Sequence, residues 1–211
     1  MFEIKNVSFC HGSDLNWIFK DFSLRVAPGQ VVGLSGPSGK GKTTLGRIAA
    51  GFLIPGKGQV LMNGKPLENQ GYHPVQMVFQ HPELAINPRW RAGKIIREGF
   101  SPDAGLLEKF EVSGTWLSRY PCELSGGQLA RICLVRALGP GTRFLITDEA
   151  TAMLDPLTQA RIWKSLLAHC RRHSIGILAI SHDRALLHRI ADQTILDFGI
   201  KNTDQEKALK N

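Results

Sequence analysis

Eight residues, Gly36-Pro37-Ser38-Gly39-Lys40-Gly41-Lys42-Thr43, carry the spacing Gly, four residues, Gly-Lys-Thr. Glycines in such a run let consecutive backbone N–H groups turn inward around an anion. Lys42 directly after them offers a cation for β- and γ-phosphates, and the Thr43 hydroxyl offers a ligand for Mg²⁺. An acid pair, Asp148-Glu149, follows the apolar run Phe144-Leu145-Ile146-Thr147. Asp148 suits Mg²⁺ held through water, and Glu149 suits a general base for an attacking water. Alone, the pair also reads as two surface acids at a strand end. Beside a phosphate loop it reads as chemistry, because ligands of open α/β sheets gather at the carboxyl ends of strands. Leu124-Ser125-Gly126-Gly127-Gln128 is a helix start with a serine cap and two glycines, hence a second anion site.

These groups need elements to hold them. Val31-Val32-Gly33-Leu34 reads as a buried strand leading into the loop, and Thr44 to Ala50 as the helix leaving it. That order is the context a phosphate-binding loop requires. Residues 2 to 9 are strand-like, and Phe22, Leu24 and Val26 alternate with polar residues at period two up to a Pro28-Gly29 turn. Gln59 to Met62 turns at Asn63-Gly64, a hairpin signal, so an antiparallel layer is expected against the phosphate-loop sheet. Val75 to Phe79 is a further strand, which delivers Gln80. Residues 81–124, interrupted by Pro82, Pro88, Pro102 and Pro121, read as an inserted, mostly helical lobe. The expected helices are 92–98 and 105–110 there, then 129–138, 158–170 and 185–190. The remaining strands are 144–147, 175–180 and 194–197. Strands alternating with helices give an α/β fold class with a parallel sheet. One domain is expected, with residues 1–80 and 125–200 as its core and 201–211 as a frayed tail.

The 211 residues include 26 Lys and Arg against 18 Asp and Glu, a formal charge of +8, and 43% are apolar. That suits a folded core and an anionic partner: a nucleotide, an acidic membrane surface or nucleic acid. The basic residues are scattered, with no basic run interleaved with aromatics, so no nucleic-acid partner is expected. Cys10, Cys122, Cys133 and Cys170 form no Cys-x-x-Cys pair and read as reduced thiols of a cytosolic protein. No signal peptide is visible, and no apolar run approaches the roughly 20 residues needed to span a bilayer. A membrane role would need another chain to supply the span.

The stretch Leu124 to Gln128 resembles the signature of ATP-binding cassette (ABC) ATPases. Asp148-Glu149-Ala150-Thr151-Ala152-Met153-Leu154-Asp155 resembles their second phosphate motif and D-loop, Ser181-His182-Asp183 their switch histidine, and Gln80 after Val78-Phe79 their glutamine loop. The motifs stand in the family's order over roughly residues 2 to 199. The resemblance implies a P-loop NTPase core that binds and hydrolyses ATP with Mg²⁺. It implies nucleotide contacts from Gly36 through Thr43 and Thr44, and from Ser125, Gly126, Gly127, Gln128 and Asp155 across a head-to-tail pair of cassettes. Gln80 would sense Mg²⁺ and the attacking water, and His182 would contact the γ-phosphate. Implied partners are a second ABC ATPase subunit, two transmembrane permease subunits and, indirectly, an extracytoplasmic substrate-binding protein. The implied location is the cytoplasmic face of the inner membrane.

Three departures stand out. His11 falls where the family places an aromatic ring on adenine, with Phe9 or Trp17 as substitutes; Lys40 replaces a small residue, and Ala150 a proline. Within the family, Gln80-His81-Pro82-Glu83-Leu84-Ala85-Ile86-Asn87-Pro88-Arg89 and Thr44-Leu45-Gly46-Arg47 resemble the dipeptide, oligopeptide and nickel importers. The competing readings are a soluble ABC ATPase acting on DNA or ribosomes and a phosphate-loop kinase. The span between loop and signature is short and carries no heptads, against the first. A kinase would not need Leu124 to Gln128.

Overall fold

The computed structural model describes residues 1–10, 17–67, 71–196 and 198. His11 and the expected tail at 201–211 lie outside them.

Two sheets share one core. β1 (Phe2–Cys10), β2 (Trp17–Val26), β4 (Lys57–Met62) and β5 (Lys65–Pro66) form an antiparallel sheet in the order β2-β1-β4-β5. The β4–β5 turn is the expected Asn63-Gly64, with φ of 52° and 77°. Two positive φ values in a row match the right-handed strand twist, and Asn-Gly accepts them at low cost. β3 (Val31–Leu34), β6 (Val75–Val78), β7 (Phe144–Asp148), β8 (Gly176–Ile180) and β9 (Gln193–Ile195) form a parallel sheet in the order β6-β7-β8-β3-β9.

Alternation along the parallel strands splits the core by face. Val32, Leu34, Phe144, Ile146, Leu178 and Ile180 point to the antiparallel sheet and to α1 (Lys42–Ala49). Across that layer Phe2 and Phe144 stack with centroids 3.9 Å apart and planes 11° from parallel. Burial of each such ring stabilises the fold by about 1.5–3 kcal/mol. Val31, Leu145, Ile177 and Ala179 point the other way. There they meet side chains of α2 (Ala92–Ile96), α3 (Ala104–Lys109), α4 (Gly126–Arg136), α5 (Pro156–Arg172) and α6 (Arg184–Ile190).

Helix starts differ most from the sequence expectation. α4 has the expected N-cap at Ser125 but begins at Gly126, three residues before the apolar run at Leu129, because Ser125 and Gln128 close a capping box around Gly126 and Gly127. α5 begins at Pro156, where a missing N–H costs nothing. Between Gln80 and Ser125 the expected mostly helical lobe is instead largely loop: α2 and α3 are short, single 3₁₀ turns stand at Pro82–Ala85, Gly114–Trp116 and Pro121–Glu123, and turns and irregular chain make up the rest. The prolines there deny longer helices their N–H donors. β9 stops at Ile195, and Asp197 lies outside the described residues.

Candidate functional site

The phosphate loop joins the end of β3 to α1. Its exposed tip runs from Pro37 to Lys40. Gly41 is the N-cap of α1, at φ 91°, and no side chain caps the helix. The first helical bond is Leu45 N–H to Gly41 carbonyl, 2.8 Å. The amides of Lys42, Thr43 and Thr44 lie before it, among the first-turn N–H groups that helix geometry leaves without an intrahelical acceptor. Lys42 Nζ donates to the Gly36 carbonyl at 2.6 Å and the Pro37 carbonyl at 3.0 Å. Concentrated N–H donors, a lysine and the positive end of the helix suit a polyphosphate.

Asp148, at the end of β7, is buried and accepts a hydrogen bond from the Thr43 hydroxyl. Burial raises its carboxyl above the usual carboxylate range, against the lowering effect of that bond; Glu149 raises it further, and Arg47 and Lys42 oppose. One carboxylate beside one hydroxyl is the sparse oxygen set that Mg²⁺ takes when phosphates complete its shell. Among the described residues no group of three or more His, Cys, Asp or Glu that could hold a metal ion gathers.

Glu149 turns away from Asp148, at φ 50°. Its N–H donates to the Ile180 carbonyl at 3.0 Å, which ties it to the end of β8. Its Oε1 accepts the His182 backbone N–H at 2.7 Å and lies 2.9 Å from His182 Nδ1. Among the described residues, Oε2 accepts the Ser181 hydroxyl alone, at 3.3 Å. A carboxylate oxygen has two lone-pair sites, so Oε2 keeps acceptor capacity. Glu149 and His182 line a small cavity of about 190 Å³, together with Thr151.

Gln80 lines a different and larger cavity, of about 750 Å³, with Thr43, Asp148, Arg47, Phe52 and Leu84. Its rim is apolar and open: Phe52 is 61% exposed and Leu84 83%. Phe52 packs its ring 5.6 Å from that of Phe79. Thr43, Asp148 and Gln80, each expected near Mg²⁺, therefore share one cavity wall.

Ser125, Gly126, Gly127 and Gln128 stand elsewhere. Ser125 Oγ accepts the Gln128 N–H at 3.2 Å, and Gln128 Oε1 accepts the Ser125 N–H at 3.0 Å. The glycines are required by close approach. A Cβ on Gly126 would sit 2.7 Å from Met153 Sδ, and one on Gly127 2.9 Å from Leu154 Cδ2. Asp155 follows and caps α5 through the Thr158 N–H, 3.0 Å. The described cavities include none lined by both the phosphate loop and Ser125.

Sequence reasoning missed the anchor of this region. Buried Thr151 Oγ1 accepts the Trp163 indole N–H at 3.0 Å and the Gln159 amide at 3.0 Å. Its only signal was its place two residues after Glu149. The substitutes for His11 are also placed. Phe9 is buried in the core, and Trp17 packs against Gly56 with Lys57 5.5 Å from its ring. It is Ile18, on the other face of β2, that reaches Gly41.

The ABC transporter family model matches residues 19–152. The nickel import ATP-binding protein NikE of Rhodospirillum rubrum is 33% identical, over 91% of this chain and 76% of its own length. The NikE of Staphylococcus aureus is 30% identical, over 93% and 86%. A dimeric ATP-binding cassette in a post-hydrolysis state with ADP and Pi superposes with a TM-score of 0.79, at 21% identity over 94% of this chain and 95% of that one. For cbiO1 of Clostridium perfringens, part of the ABC transporter complex cbiONQ, the TM-score is 0.76, at 21% identity over 99% and 92%.

Proposed function

The chain belongs to the ABC transporter family, and on that premise we propose that it is the ATP-hydrolysing subunit of an importer whose cargo is nickel or a small nickel chelate. The likeness to two nickel import ATP-binding proteins over more than nine-tenths of the chain carries this reading. Two cassettes pair head to tail, so that ATP lies between the phosphate loop of one and the Ser125 helix start of the other. A loop of nitrogens without side-chain caps supports the first half of that site. Gly36 through Thr44 surround the phosphates, and Lys42 Nζ exchanges two carbonyl partners for phosphate oxygens. Thr43 and Asp148 hold Mg²⁺, which when bound neutralises charge between the β- and γ-phosphates. Gln80 contacts that ion and the attacking water from the shared cavity.

Glu149 is the general base. Its Oε1 is fixed by His182 and its Oε2 is lightly used, so the carboxylate is oriented yet can take a proton. His182 contacts the γ-phosphate, and Asp155 links the two sites across the pair. His11 stacks on the adenine. The cavity beside Gln80, with exposed Phe52 and Leu84 on its rim, receives a short helix of one permease subunit, and the two permease subunits in turn meet an extracytoplasmic substrate-binding protein. Among the described residues no helix is long and apolar enough to cross a membrane, so the permeases supply the span. The subunit works at the cytoplasmic face of the inner membrane, aided by its charge of +8 against anionic headgroups.

The test is uptake of labelled nickel and of labelled dipeptides in cells with and without the gene. Nickel uptake should fall in the deletion and return with the wild-type gene but not with Lys42→Ala. Normal nickel uptake with a loss of dipeptide uptake would move the cargo to peptides, which the stretch Gln80 to Arg89 also resembles.

A further inference from the structure

We propose that Phe19 and Phe198 are positioning residues that clamp both ends of the phosphate loop. The proposal rests on the nucleotide reading of that loop and adds the device that fixes its width. At the far end of the loop, a Cβ on Gly41 would lie 2.4 Å from Ile18 Cγ2 and 3.1 Å from Phe19 Cδ1. The N-cap of α1 is thus pressed directly against β2. At the near end, a Cβ on Gly36 would lie 2.7 Å from the carbonyl oxygen of Phe198 and 2.9 Å from its nitrogen. The backbone of Phe198 therefore lies against Gly36, held there by its N–H bond to the Ser35 carbonyl at 3.0 Å. Ser35 N–H in turn bonds the Ile195 carbonyl at 2.9 Å.

One aromatic group joins the two ends. The Phe198 ring lies 5.5 Å from Phe19 and 5.2 Å from Phe22, edge-on to the latter. Phe19 and Phe198 are 7% and 5% exposed. Phe19 thus touches Gly41 on one side and, through Phe198, braces Gly36 on the other. Gly36 and Pro37 carry the carbonyls that hold Lys42 Nζ. Loosening the near end would spread the cradle and shift the lysine together, without removing any group that touches the nucleotide. A cradle of preorganised N–H donors loses anion affinity when its donors no longer converge.

The experiment measures ADP–Mg²⁺ binding to the full chain by calorimetry at a temperature well below unfolding, for wild type, Phe198→Ala, Phe198→Leu and Phe19→Leu. Phe110→Ala serves as the control. It removes a ring of the same size, 0% exposed, from the core on the opposite face of the parallel sheet. Phe198→Ala should weaken ADP binding by about tenfold or more, the scale of one lost hydrogen bond to a charged group. Phe198→Leu, which refills most of the volume, should still bind ADP about two- to threefold more weakly than wild type, and Phe19→Leu should behave likewise. Phe110→Ala should leave affinity within about twofold while lowering the melting temperature comparably. Should Phe198→Ala not fold, Phe19→Leu and Phe198→Leu decide: equal wild-type affinity in both overturns the clamp. Equal losses in Phe198→Ala and Phe110→Ala also overturn it, since the effect would then be general stability. Failure of the wild type to bind ADP overturns the nucleotide reading, a different outcome from binding that is insensitive to Phe198.

Discussion

α1 follows a strand and α4 a 3₁₀ turn, yet both start with glycines and both invite an anion in the sequence; the structure uses their donors differently. At α1 the N-cap is Gly41 and no side chain takes a first-turn amide. At α4 the capping box engages the Ser125 and Gln128 amides in reciprocal bonds. The first start holds its donors in reserve; the second has used part of its own on itself. A glycine is chosen for a different reason at each. Gly41 adopts φ 91° and lies under Ile18, whereas Gly126 and Gly127 admit Met153 and Leu154 from the loop before α5. A helix start recruited by a partner's nucleotide can afford a self-cap, because the cap keeps it folded until the partner arrives. A start that must grip phosphate alone cannot.

The same division runs through the acids, and the largest expected effect tests it there. Glu149 has one oxygen engaged by His182 and the other bonded by the Ser181 hydroxyl at 3.3 Å, with acceptor capacity left. Glu149→Gln keeps the shape and the donors' partner but removes the proton acceptor. Turnover should fall by about 10²–10⁴-fold, the range of a lost general base, while ADP affinity stays within about twofold. Steady-state phosphate release and calorimetry check the two halves. Turnover close to wild type would leave Glu149 a purely structural role, joining the end of β7 to the end of β8.

Lys42→Ala acts on the reserve at α1. Loss of a charge-assisted contact to phosphate should weaken nucleotide binding by about 10–100-fold. Ser125→Ala, at the spent start, should leave ADP binding to the single chain unchanged and lower stability by about 0.5–2 kcal/mol, the value of an N-cap. That is a melting-temperature shift of a few degrees for a domain of this size. If Ser125→Ala weakened ADP binding as much as Lys42→Ala, the two starts would not be different in kind.

This contrast was only half legible in the sequence. The loop motif, its flanking strand and helix, and the β4–β5 turn follow from local spacing, and the structure has them. The Ser125 cap of α4 was legible from local spacing; the range drawn from Leu129, where the apolar period begins, leaves out the first turn, which Ser125 and Gln128 hold by reciprocal bonds. The Glu149–His182 bond spans 33 residues. It exists because β7 and β8 are neighbours in the sheet, and one sequence does not state strand order. Thr151 escaped for the same reason: its donors, Gln159 and Trp163, sit on a helix one loop away, and nothing in a threonine's identity announces a buried acceptor. Phe198 carries no signal in the sequence, and only the approach of its backbone to Gly36 gives it a task.

The smallest effect concerns a third helix start, α5, where Asp155 is both cap and proposed link between sites. Its carboxylate accepts hydrogen bonds from the Thr158 hydroxyl and backbone N–H, which together hold its pKa below the reference value of 3.8. A carboxyl depressed in the folded state binds protons less readily there than in the unfolded chain. Its contribution to stability is therefore complete above the unfolded value and disappears as pH falls through the folded one. Asn is as good a cap as Asp by hydrogen bonding, so Asp155→Asn isolates the charge. Urea unfolding of wild type and Asp155→Asn should show a small, constant gap above about pH 5, narrowing below the reference value. A gap that ignores pH would mean that the charge at this start contributes nothing and the cap works by geometry alone. In that case any loss of ATP turnover in Asp155→Asn, measured at pH 7, would belong to its role between the two cassettes rather than to the helix beneath it.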